Sequence, residues 1–325
     1  MNKAPLYKRG QRKIRRLNFE PLETRALLSR AVILSQEPLA AKWLVSQREA
    51  TIAFRSGSSL NVLREGSTTR QRNLSYESDT GAIQQLDLYL PSGEAPASGW
   101  PVVMAIHGGG WRRYSKDGYG RKSSVLTKAG FAVVAPNYTL SKPGNPSWPD
   151  NLQDLRGAAR WTVSNADRYN LDVARIATMG ESAGGHLALM LGLDQTPATG
   201  AQPGFSIRAI ADFYGPTDLY RLYHDSRGAA SAVTGLLGGN PDQNPSGYKM
   251  ASPLRYVTLN APAVLIMHGL SDTLVPVSQA RELARALAGH GVPYQINLLP
   301  RVGHGFSLSG EVLAATVSFL KSALA

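Results

Sequence analysis

Ser182 stands in Gly180-Glu181-Ser182-Ala183-Gly184, a Gly-x-Ser-x-Gly turn, with an apolar run (Arg175 to Met179) before it and a helix-forming run (His186 to Met190) after it. A strand, a sharp turn and a helix in that order lift a serine hydroxyl to the top of a sheet. The serine backbone is strained there, and glycines two residues to either side leave room for strand and helix to approach. Taken alone, the same five residues also describe an ordinary Gly-rich turn, so the rest of the chain must decide.

A serine hydroxyl becomes a nucleophile only when a base removes its proton, and the base needs a carboxylate to fix its tautomer. In strand–turn–helix hydrolases the chain order is serine, acid, histidine. Six histidines compete. His107, His186, His224 and His268 all precede Asp272, which that order disfavours. His290 falls near a helix end, where a solvated or dipole-paired histidine is ordinary. His304 lies in the Gly-flanked loop Arg301 to Phe306, directly after the last apolar run, and is the candidate base. Asp272, between His268 and Pro276, is the candidate acid. Its rival is Asp218, in Tyr214-Gly-Pro-Thr-Asp218, and either could be a turn residue bonded to its own backbone. Position and order favour Asp272.

An oxyanion that develops on the attacked carbonyl needs backbone N–H donors in a water-poor site. Ala183, which follows the serine, supplies one. His107-Gly108-Gly109-Gly110-Trp111 follows an apolar run, and its Gly109 and Gly110 let backbone come close to a substrate. The competing reading, a phosphate-binding loop, lacks its Lys and Ser/Thr.

These groups must be carried by a sheet. Asn73 to Glu77 and Gln85 to Leu90 alternate in polarity around a turn at Asp79 to Gly81, which predicts a hairpin. Six short apolar runs follow: Pro101 to Ile106, Phe131 to Ala135, Ile176 to Met179, Ile207 to Phe213, Ala263 to Met267 and Tyr294 to Leu299. Such runs suit parallel strands covered on both faces. Helical periodicity over Leu152 to Tyr169 and Gln279 to Ala288 fills two of the connections. The expected fold class is α/β: a mostly parallel, doubly wound, eight-stranded sheet with helices on both faces. Open sheets of this kind place chemistry at the C-terminal ends of strands, where the serine, both carboxylates, the Gly-rich loop and His304 all fall. Residues 215–255, rich in Gly, Pro, Asn, Ser and Tyr, interrupt the rhythm. They are expected either to shape a substrate pocket or to form a passive surface loop.

At 325 residues there is room for one large domain and an appendage. The net charge of +12 is uneven: residues 1–72 hold 15 Lys/Arg and 5 Asp/Glu, a net +10, and the remainder carries +2. A nucleic-acid binder would concentrate its basic residues on the folded body, so nucleic acid is not an expected partner. No apolar run reaches the ~18 residues of a membrane span. Cysteine is absent, which removes disulfides, thiolate metal sites and a cysteine nucleophile. The expected organisation is a basic sorting or processing segment over 1–30, a linker or loosely docked segment over 31–72 and a catalytic domain over 73–325. Within the first, Leu22-Glu-Thr-Arg-Ala-Leu-Leu28 resembles a short motif at the start of many exported and surface proteins of some bacteria, which implies export or attachment at the cell surface.

Together His107–Trp111, Gly180–Gly185, the Asp272 segment and Gly303-His304-Gly305 resemble the α/β-hydrolase fold. The likeness is to hormone-sensitive-lipase-like carboxylesterases, particularly small acetyl or feruloyl esterases, and covers about residues 73–325. It implies a Ser182, Asp272, His304 triad, an oxyanion hole of Gly109, Gly110 and Ala183, and no metal or cofactor. The implied substrate is a short-acyl ester, either a small molecule or one linked to polysaccharide. Many relatives carry Asp where this chain has Glu181, and the large N-terminal cap of some lipase-like relatives is not evident. Trp111, Tyr138, Trp148 and Tyr214 are candidates for an apolar pocket, or for core or rim. Three other activities fit the same motifs: an arylformamidase, a peptidase of the prolyl oligopeptidase type (whose members usually carry a large extra domain) and a non-catalytic hydrolase-fold binding protein.

Overall fold

The computed structural model describes residues 68–194 and 204–325. The sorting segment expected over 1–30, and nearly all of the linker expected over 31–72, lie outside the described residues. Regular structure is already present at Thr69, four residues before the expected boundary at 73: β1 spans Thr69–Glu77 and pairs antiparallel with β2, Ile83–Leu90. Sequence alternation failed to mark the start of β1 because the strand is bulged. Asn73 takes a positive φ of 55°, its N–H donates to Asp87 Oδ1 at 2.9 Å and its side chain accepts from Lys116 Nζ at 2.7 Å.

The remaining strands are β3 Trp100–Ile106, β4 Ala132–Pro136, β5 Leu171–Glu181, β6 Ile207–Phe213, β7 Ala263–Gly269 and β8 Tyr294–Leu299. The sheet order is β1-β2-β4-β3-β5-β6-β7-β8, with β2 antiparallel to both neighbours and every pair from β4 onward parallel. The six apolar runs and the alternating hairpin all fall on strands of this sheet. β5 extends five residues further back than its run. Asp172 and Arg175 disguise that extension, since they pair with each other at 2.6 Å at a strand irregularity opposite Pro101 and Val102.

The helices joining parallel strands are α1 Gly120–Lys128, α2 Asp150–Ser164 and α3 Ala183–Leu193; beyond β6 come α4 Leu219–Asp225, α5 Arg227–Leu237, α6 Pro245–Met250, α7 Ser278–Gly289 and α8 Gly310–Ala323. The connection β3–α1–β4 runs toward one sheet edge, whereas those through α2, α3 and α7 run toward the other. Right-handed crossovers therefore set α1 on one face and α2, α3 and α7 on the opposite one. The predicted helix over 152–169 is two pieces, α2 and a separate turn Ala166–Tyr169, parted at Asn165.

The reversal of direction falls between β3 and β5, and a crevice opens there at the strands' C-terminal ends. The core is densest beneath it: Val102–Ile106 and Ala132–Ala135 are fully inaccessible, and all eleven residues of α3 are buried. A helix buried on every side has no polar stripe, and the sequence Ala-Gly-Gly-His-Leu-Ala-Leu-Met-Leu-Gly-Leu supplies none.

Residues 215–255 are helical rather than irregular. Their turn-forming residues are helix caps: Asp218 Oδ1 accepts from Arg221 N at 3.0 Å, Ser226 Oγ from Ala229 N at 3.3 Å and Asn244 Oδ1 from Gly247 N at 2.9 Å.

Candidate active site

Ser182 occupies the turn between β5 and α3 with φ 54° and ψ −120°, a conformation that L-residues rarely adopt. Two backbone bonds hold it there: its N–H donates to the Phe213 carbonyl at 2.8 Å, and its carbonyl accepts from His186 N at 3.0 Å. The flanking glycines are required by contact. A Cβ on Gly184 would fall on the Ile106 carbonyl oxygen and 2.6 Å from that of His107, and one on Gly180 would fall on the Gly184 carbonyl.

His304, in the loop after β8, reaches Ser182 Oγ with Nε2 at 2.9 Å and Asp272 Oδ2 with Nδ1 at 2.7 Å. Asp272, in the loop after β7, also accepts at Oδ1 from the N–H groups of Leu274 and Val275, both at 2.9 Å. Burial pushes the Asp272 carboxyl up, but hydrogen bonds from His268, His304 and Val275 outweigh it and hold the group well below the usual carboxylate range. Behind this carboxylate His268 is fully buried; its Nε2 lies 2.8 Å from the Val275 carbonyl and 3.4 Å from Asp272 Oδ2. The rivals weighed from sequence are elsewhere. Asp218 caps α4, and His290 bonds the Ala286 carbonyl at the exposed end of α7, at 2.9 Å.

The Gly-rich loop after β3 faces the serine. Gly109 and Gly110 have φ values of 112° and 60°, and a Cβ on Gly109 would strike the Arg113 carbonyl. Among the described residues, the N–H groups of Gly109, Gly110 and Ala183 have no protein acceptor. Two aromatic residues fix this loop from below. Tyr138 stacks on His107 with ring centres 4.2 Å apart, and its hydroxyl donates to the His107 carbonyl at 2.8 Å. The Trp111 indole N–H donates to His186 Nδ1 at 3.2 Å, and His186 Nε2 bonds the Ala251 carbonyl at 2.7 Å. Burial pushes both His107 and His186 down to about 4, so both imidazoles are neutral near pH 7.

Serine, imidazole and loop open into a cavity of about 530 Å³, within the range of small-molecule sites. Trp111 and Tyr214 are part of its lining, whereas Tyr138 and Trp148 are not. Tyr138 is used up beneath the loop, and Trp148 packs on the core with its ring 6.1 Å from that of His186. Pro216, Leu222, Gly228, Ala229 and Ala232 make one wall, so the 215–255 segment shapes the pocket. Sequence reading missed these side chains individually; the small residues at 228 and 229, with a third at 232 one helical turn on along α5, are the available signal. It also missed Lys122, which pairs with Glu181 on the cavity wall. The other Glu181 oxygen accepts from the Tyr214 hydroxyl at 3.0 Å, and the Tyr214 ring stands edge-on to His304 at 4.8 Å.

Among the described residues no group of three or more His, Asp or Glu side chains is arranged to hold a metal ion, and no helix is long and apolar enough to cross a membrane.

The chain is similar to known proteins in sequence and in fold. The model of the BD-FAE family matches residues 86–287. Esterase LipC of Mycobacterium tuberculosis is 30% identical over 290 residues, covering 85% of this chain and 68% of LipC. The probable carboxylic ester hydrolase LipM of the same organism is 33% identical over 226 residues, 66% of this chain, and the chain spans about half of LipM's length (51%). Among solved structures, a truncated carbohydrate esterase from gut microbiota superposes with a TM-score of 0.67 at 26% identity, covering 78% of this chain and 95% of that one. The sheet order, the serine turn and these likenesses agree: the chain belongs to the BD-FAE family of α/β hydrolases and is a carboxylic ester hydrolase.

Proposed function

We propose that the protein hydrolyses short-acyl carboxylic esters through a Ser182–His304–Asp272 triad and an acyl-enzyme. The observation that carries this is the unbroken run of hydrogen bonds from Asp272 through His304 to Ser182, 2.7 and 2.9 Å long, at the floor of the cavity. His304 Nε2 takes the Ser182 proton as Oγ attacks the ester carbonyl. Asp272 accepts from Nδ1–H, fixes the tautomer and stabilises the imidazolium. The N–H groups of Gly109, Gly110 and Ala183 receive the oxyanion, being preorganised and otherwise unoccupied. The imidazolium then protonates the departing alcohol, and water, deprotonated by the same nitrogen, releases the acid.

A lining that combines Arg112, Arg113, Lys122 and Glu181 with the small side chains of α5 favours a short acyl group and a polar alcohol over a long-chain lipid. Sugar-linked acetyl esters have those properties, and the similarity to a carbohydrate esterase supports them. The basic 1–30 segment supports export, which fractionation of cells making the full chain would check.

Ser182→Ala tests the mechanism. It should lower turnover of p-nitrophenyl acetate by about 10⁴–10⁶-fold with unchanged circular dichroism; retained turnover in the folded variant would sink the assignment. A panel of p-nitrophenyl esters from acetate to decanoate, alongside acetylated xylo-oligosaccharides, tests the substrate class.

A further inference from the structure

Two buried polar atoms near this site have no hydrogen-bond partner: His268 Nδ1 and Asp212 Oδ2. They belong to adjacent parallel strands. Asp212 on β6 is in register with Ile266 on β7, so His268, two residues on, lies on the same sheet face one step nearer the site. Both side chains are completely inaccessible. The Val275 carbonyl can only accept, so the hydrogen of a neutral His268 sits on Nε2, leaving Nδ1 as a bare acceptor. Asp212 Oδ1 already accepts from Gly215 N at 3.0 Å, which leaves Oδ2 as a second bare acceptor on the same face. No bond joins the two groups, so the imidazole of His268 is held by its Nε2 edge alone.

We propose that His268 is a positioning residue for the acid of the site: His268 Nε2–H, set between the Val275 carbonyl and Asp272 Oδ2, holds the loop after β7 so that Asp272 faces His304. This rests on the triad reading above. Asp272 Oδ2 is the oxygen that accepts from His304, so a loop that drifts alters the bond on which the base depends. A misplacement of about 1 Å in a preorganised site costs about 10²-fold in rate.

The test compares His268→Leu and His268→Gln in the full chain. Leucine deletes the hydrogen bond at similar size; glutamine restores a donor. Two readouts are taken: kcat and KM for p-nitrophenyl acetate, and the low-field proton resonance of the His304 Nδ1–H that Asp272 accepts. The leucine variant should lose about 10–100-fold in kcat with KM within about twofold, and should shift or lose the resonance. Glutamine should recover most of kcat and restore the resonance. A folded leucine variant with wild-type kcat and an unmoved resonance would overturn the proposal. So would a glutamine variant no better than the leucine, which would mark a purely structural role. If the leucine variant does not fold, the glutamine variant decides: near wild-type kcat with the resonance in place supports the proposal, and its loss overturns it. A wild-type protein without esterase turnover would instead remove the triad reading, and the resonance arm would still judge the positioning.

Discussion

The serine turn and the α5 wall border the same cavity and are built in opposite ways. The turn is fixed by backbone: carbonyls packed against Gly180 and Gly184, two main-chain bonds on Ser182, and a helix buried on all sides behind it. The wall is made by small side chains on a surface helix, with Gly228, Ala229 and Ala232 facing the cavity and hydrogen-bonded caps at its entry. Chemistry is therefore placed by elements that cannot shift without unfolding, and selectivity by side chains that can change size at modest cost.

The strongest way to break this contrast is at the acid. Asp272→Asn leaves the shape intact but favours the wrong His304 tautomer, and should reduce kcat by about 10⁴-fold in a steady-state ester assay. If activity survives while Asp218→Ala abolishes it, the acid has been misassigned. The next effect is one of pH. His107 and His186 are pushed down from an ordinary 6.5 to about 4, so below pH 6.5 the unfolded chain takes up protons that the folded one refuses. Their contribution to stability is complete above pH 6.5 and is lost as pH falls toward 4, at about 1.4 kcal/mol per pH unit for each group. Both groups belong to the turn side, so urea titrations of the His186→Gln variant should show a shallower acid decline; an unchanged decline would place the acid sensitivity elsewhere.

The wall is sharpened by Ala232→Phe. Filling that side should lower kcat/KM for butyrate and longer p-nitrophenyl esters by about 10–100-fold relative to acetate. Equal losses on all esters would mean that the wall does more than select. The smallest effect is expected from Asp218→Ala, which removes the α4 cap and should cost about 1 kcal/mol in denaturant unfolding with turnover essentially retained.

The two regions also differed in how far they could be read from sequence. Ser182, Asp272 and His304 were legible because each sits in a short signature whose chain order a single topology explains, and six of the eight strands because parallel strands of a covered sheet read as unbroken apolar runs, the first two by their alternation. The wall was not, because Asp218, Ser226 and Asn244 look alike as turn residues and as helix caps until the helix they start is seen. For Tyr138 and Trp148 the sequence leaves pocket, core and rim open, because an aromatic ring suits a cavity and a core equally well; only the hydroxyl bond to His107 and the packing beside His186 place them in the core. The start of β1 was hidden by its bulge at Asn73, where strand alternation is broken.

The bond from the Trp111 indole to His186 gives the molecule an optical handle. The same ring terminates the loop that carries Gly109 and Gly110 and donates to an imidazole wired to Ala251, so its emission depends on whether that loop is seated on the core. Subtracting the spectrum of Trp111→Phe from that of the native chain isolates this one indole among the five in the sequence. Stopped-flow fluorescence then follows the seating of that loop as an ester binds, and an unchanged emission marks a loop already in place.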